Sequence, residues 1–106
     1  MSFVRLLLAL LLLCLAFSAA ADDTPVSPTR ARVAVKAGLI KPLEELLSTV
    51  AQRYEGRVIV AELHENGGLW SYEFEMLPAN GSIFGVEVDA ATGRVLRTRG
   101  PAQGRR

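Results

Sequence analysis

His64 is the single histidine of a 106-residue chain, so any imidazole chemistry, as ligand or as base, has to pass through it. Its neighbours are carboxylates: Glu62 and Glu65 beside it, and Glu73 and Glu75 one hairpin further on. With Glu62, Glu73 or Glu75 it could hold a cation loosely, but a zinc site draws three or four closely placed ligands, mostly His or Cys. One histidine among scattered carboxylates reads as a solvated surface residue, and neither a metal nor a cofactor is expected. Ser71, Ser82 and Asp89 can be joined to His64 on paper as a hydrolase triad. No Gly-x-Ser-x-Gly elbow accompanies them, and so short a chain has little volume to spare for a pocket. The chain reads as a non-enzyme.

Other residues suggest binding rather than catalysis. Glu62, Glu73, Glu75 and Glu87 fall at alternate positions of extended segments and form a charged, water-facing surface, the expected place for a partner to dock. Glu73 and Glu75 share a strand face, and their repulsion can be offset by Arg57 or Arg97 on neighbouring strands. Trp70, Tyr72 and Phe74 make an aromatic stripe of the kind that stacks on bases or packs a core. Lys and Arg number 12 against 11 Asp and Glu, without the basic excess of a nucleic-acid binder, so the stripe is assigned to the core. The ending RTRGPAQGRR reads as a solubilising basic tail, disordered over residues 100–106. Asn80-Gly81-Ser82 matches a glycosylation sequon but reads as turn chemistry.

The N-terminal stretch MSFVRLLLALLLLCLAFSAAADD has a basic residue (Arg5), an apolar run from Leu6 to Phe17 and small residues at Ala19 to Ala21. That is the pattern of a signal peptide over residues 1–21. The apolar run is shorter than the roughly 20 residues a spanning helix needs, so no stable membrane span is expected after cleavage, and the protein is expected to be periplasmic or secreted. Cys14, the only cysteine, lies inside this stretch, which leaves no disulfide to staple the folded part. Residues 22–29, with two prolines, read as a disordered leader, and residues 30–99 as the domain.

Ser27-Pro28 gives an N-cap and first helical position for a short helix ended by Gly38, with Ala31, Ala34 and Val35 inward. Pro42 opens the main helix, in which Leu43, Leu46, Leu47, Val50 and Tyr54 recur at spacings of three and four. After Gly56 the period changes to two. Strands are expected at 57–65, 69–77 and 82–89, with a short fourth at 94–98, separated by turns at Asn66-Gly67-Gly68 and Asn80-Gly81. Trp70, Tyr72 and Phe74, with Phe84, Val86 and Val88, form one apolar sheet face. Neither that face nor the helix stripe can bury its area alone. The expected fold is α+β, with the amphipathic helix, preceded by the short one, packed on a three- to four-stranded antiparallel meander. In VDAATGRVL the types of Asp89, Thr92 and Gly93 account for a tight turn, a structural device rather than a chemical one.

The stretches AGLIKPLEELLSTVAQRYEGRVIVAEL and GLWSYEFEMLPANGSIFGVEVDAATGRVLR, taken in order, resemble the PepSY domain family over about residues 33–98, in the small exported single-domain form found in Gram-negative bacteria. Leu39-Ile40 stands where relatives often carry an acidic residue. The resemblance implies a helix followed by antiparallel strands, an extracytoplasmic setting and no catalytic motif. It also implies a role in regulating or inhibiting a protein partner such as a peptidase or a sensor protein. The alternative is a small-ligand or cation responder that uses the acidic sheet face.

Overall fold

Ser27 ends an extended approach, and its Oγ accepts the Arg30 N–H at 3.2 Å, capping a helix that opens on Pro28. In the computed structural model, which describes residues 24–105, this helix is α1 (Pro28–Lys36). The stretch read as a signal peptide lies outside the described residues, as do Asp22, Asp23 and Arg106. In the described part of the leader, the Val26 N–H donates to Leu63 O at 2.7 Å and the Val26 side chain packs on the core. An apolar side chain and an otherwise unpaired strand carbonyl are reason enough for it to dock.

The main helix, α2 (Leu43–Arg53), follows Pro42, with Glu44 and Glu45 in its first turn and Arg53 in its last, each complementing the helix dipole. Leu46 and Val50, four residues apart, are wholly buried, whereas Leu43 and Leu47 on the flanks of the stripe are only partly so. Tyr54 turns extended and ends the helix. Two residues on, Gly56 has φ 112°, and a Cβ there would stand 2.9 Å from the carbonyl carbon and oxygen of Leu77. Only glycine lets the next strand begin this close to the end of its partner.

Four strands follow: β1 (Arg57–Asn66), β2 (Leu69–Leu77), β3 (Phe84–Asp89) and β4 (Val95–Arg99). They form one antiparallel meander in the order β1-β2-β3-β4, so the fold is α+β. The first hairpin turns on Gly67 and Gly68, both at positive φ, with Glu65 Oε1 accepting the Gly68 N–H at 2.9 Å. In the second, Asn80 Oδ1 accepts the Ser82 N–H at 2.9 Å, so the sequon's asparagine is committed to its own turn. In the third, Asp89 Oδ1 accepts the N–H groups of Ala91 and Thr92, Thr92 Oγ1 accepts that of Arg94, and Gly93 has φ 81°.

Register puts Leu63, Tyr72 and Val88 in one cross-strand row, with Phe74 opposite Val86 and Met76 opposite Phe84. These residues, with Leu46, Val50, Tyr54, Ala34, Ile40 and Ala90, make the core. The rings of Tyr72 and Phe74 stack at 5.5 Å between centroids, and Tyr54 tilts against Phe84 at 6.0 Å. Trp70 is only partly buried and packs at the margin of the core, where the Arg30 guanidinium of α1 lies 5.2 Å above its ring.

The basic stretch at the end of the chain packs back on the helix. Arg97 and Arg99 belong to β4. Beyond them the chain returns to the end of α2, where the Glu55 N–H donates to Gln103 O, the Arg105 N–H to Arg53 O and Arg105 Nε to Ala51 O. The last carbonyls of α2 attract N–H donors, and this pull on the chain does not show in composition.

Candidate functional site

With the helices on one side of the sheet, the even positions of β1 beyond the irregularity at Val58/Val60 and the odd positions of β2 and β3 face the other way. Register then fixes who meets whom: Glu62, Glu73 and Glu87 stand directly opposite one another across β1, β2 and β3, and Arg97 of β4 completes the row. On one side of this row lie His64 and Ser71, and on the other Glu75 and Gly85. The four glutamates expected to form a partner surface thus do share a face.

Three carboxylates in direct cross-strand register repel one another, and β4 answers two of them. Arg97 Nε donates to Glu87 Oε2 at 2.6 Å. Arg99 donates to Glu73 Oε1, reaching across β3 above Gly85, whose missing side chain leaves the path clear. Neither arginine expected to offset Glu73 and Glu75 pairs with them: Arg97 pairs with Glu87 instead, and Arg99 takes Glu73. Arg57 lies opposite Leu77 at the far end of β1. The face is therefore mixed in charge rather than acidic throughout, and Glu62 and Glu75 are the glutamates that no arginine meets among the described residues.

The centre of the face is a shallow basin of about 400 Å³, lined by Glu62, His64, Ser71, Glu73, Glu87 and Arg99 among others. His64 is not the freely solvated side chain expected: its side chain keeps only 16% exposure, with Nε2 3.3 Å from Glu62 Oε2 and 3.7 Å from Glu73 Oε2. Ser71, beside it, is 8% exposed. Sequence reasoning missed Arg99, because it read as tail, and Gly85, because a glycine in an alternating strand carries no sign of what crosses it. Of the other members of the paper triad, Asp89 stands directly opposite Ser71, in the row that holds His64, but its Oδ1 accepts the N–H groups of Ala91 and Thr92 in its own turn, and Ser82 lies away from the row in the β2–β3 connection.

A second concavity of about 310 Å³ lies on the helix side, between α1 and the start of α2, lined by Ala31, Val35, Pro42, Leu43 and the Tyr72 ring. Burial, reinforced by the Glu44 charge, pushes the Tyr72 hydroxyl above its ordinary pKa of 10.0. No helix among the described residues is long and apolar enough to cross a membrane.

No curated protein and no solved structure matches the chain. The family described as the peptidase propeptide and YPEB domain, PepSY, matches residues 40–99, from the residue before Lys41 and α2 to the last residue of β4. That span holds the main helix and the whole sheet, and leaves α1 and the returning tail outside it. Members are propeptide-type, generally non-catalytic modules. By this match over more than half its length, the chain belongs to the PepSY family.

Proposed function

We propose that this protein is a non-catalytic binding module that acts outside the cytoplasm, regulating or inhibiting a protein partner such as a peptidase or a sensor protein. The observation that carries the reading is the uncovered sheet face. Four strands present their outer side chains around a basin, and two glutamates of that face, Glu62 and Glu75, meet no arginine among the described residues. Carboxylates set in strand register and unmatched by an arginine give a partner both register and electrostatic complementarity. The family's propeptide character supports a protein partner, and the leader-like residues 1–21 support export.

A photo-crosslinking residue placed at position 75 in living cells, with a matched one at Val33 on the exposed side of α1, tests this. Capture of a defined partner from position 75 but not from 33, weakened by E75K, supports the reading. Equal capture from both, or indifference to E75K, sinks it.

A further inference from the structure

Glu62, His64 and Glu73 each offer one ligand atom, and these atoms lie within 4.8 Å of one another. His64 Nε2 is 3.3 Å from Glu62 Oε2 and 3.7 Å from Glu73 Oε2. A tetrahedral zinc ion bonded to nitrogen and oxygen at roughly 2.0–2.2 Å holds its ligand atoms roughly 3.3–3.6 Å apart. The separations around His64 are thus at or near coordination spacing, reached by small turns of two glutamate side chains. We propose that the protein binds one divalent borderline cation, Zn²⁺ or its neighbours Ni²⁺ and Cu²⁺, between Glu62, His64 and Glu73.

Three further features favour this. Placement is set by backbone register: Glu62 and His64 share one face of β1, and Glu73 stands directly across from Glu62 on β2. Electrostatics leave the spot unanswered, since Arg97 takes Glu87 and Arg99 takes the Oε1 of Glu73, while the Oε2 atoms of Glu62 and Glu73 turn toward the imidazole. A cation there removes the like-charge opposition that the register imposes. Arg99 also holds the Glu73 carboxylate from behind, as outer partners do for metal-ligating carboxylates.

The donor set selects the class of ion. Calcium takes six to eight oxygens and magnesium keeps most of its waters, whereas an imidazole nitrogen with carboxylates suits zinc and its neighbours. Three protein ligands leave a position toward solvent for water or for a side chain of a bound protein. Binding of the ion itself needs no partner, so it stands or falls separately from the role proposed above.

The test uses untagged protein as the cell processes it, with Zn²⁺ as probe. Because the chain has one histidine, its ring resonances belong to His64 alone. One equivalent of Zn²⁺ is expected to shift them saturably, while Ca²⁺ leaves them in place. H64Q is expected to abolish binding, and E62Q to weaken it by at least about tenfold, no less than the loss of a supporting contact behind a metal ligand. E75Q, on the same face outside the cluster, leaves affinity unchanged. Glu62 is about half exposed, so E62Q removes a ligand without touching the core. Ring signals unmoved by excess Zn²⁺ would overturn the proposal, as would zinc affinity that falls equally for E62Q and E75Q. Crosslinking from position 75 that survives H64Q would show the partner role intact if the metal site fails.

Discussion

Arg99 on β4 reaches Glu73 on β2 over the bare backbone of Gly85, 26 positions from its partner in sequence and one strand removed in the sheet. All three atoms nearest to a Cβ built at Gly85 belong to Arg99, the closest at 3.3 Å. The glycine and the arginine are therefore one device. Because Arg99 is more than half exposed, R99A is expected to cost less than about 1 kcal/mol, and less still at high salt. G85V is expected to destabilise the native protein, but to be neutral or favourable in the R99A background, where a β-branched residue meets nothing and suits a strand. Urea titrations of the four proteins at low and high salt give the coupling.

The tail makes a second link that composition hid. Two backbone bonds and one side-chain bond, Glu55 N–H to Gln103 O, Arg105 N–H to Arg53 O and Arg105 Nε to Ala51 O, tie it to the end of α2. Truncation after Gly100 is expected to cost about 1–3 kcal/mol, in line with exposed hydrogen bonds of modest net worth. It should also speed amide exchange at Glu55 while leaving Phe74 protected. Unchanged exchange at Glu55 would show that the tail does not hold there.

The aromatic stripe divides into parts of unequal weight. Phe74 is wholly buried and Trp70 only half so. F74A is expected to cost about 3–5 kcal/mol, much of the roughly 5–15 kcal/mol that a domain has to lose. W70A costs less, and R30A removes a cation–π contact worth about 0.5–1 kcal/mol. The chain has one tryptophan, so R30A should also red-shift its emission.

The fold was legible in the sequence wherever a period repeats. The spacing of Leu46 and Val50 and the alternation of Tyr72, Phe74 and Met76 each name a buried face, and Asn66-Gly67-Gly68 names a turn by backbone chemistry. The site was legible only as a set of residue types. Glu62, Glu73 and Glu87 could be placed on one face, but direct opposition is a matter of register, and register depends on hairpin geometry and on the irregularities at Val58/Val60 and Glu87/Val88. His64 looked solvated because its shielding comes from residues on another strand.

Tyr72 carries the remaining expectation, on the helix side of the sheet. Burial first, and the Glu44 charge second, raise its pKa above the ordinary 10.0. Between the unfolded and the folded pKa the native state holds a proton that the unfolded chain has released. Stability from this residue is thus complete below pH 10.0 and is lost as pH rises beyond it. Urea denaturation on the alkaline side of that pH should show stability falling, with a gentler slope in Y72F, which cannot ionise. E44Q should reduce the slope less, since it removes only the lesser cause. If Y72F and the native protein lose stability in parallel, the phenol does not feel the groove as this geometry requires.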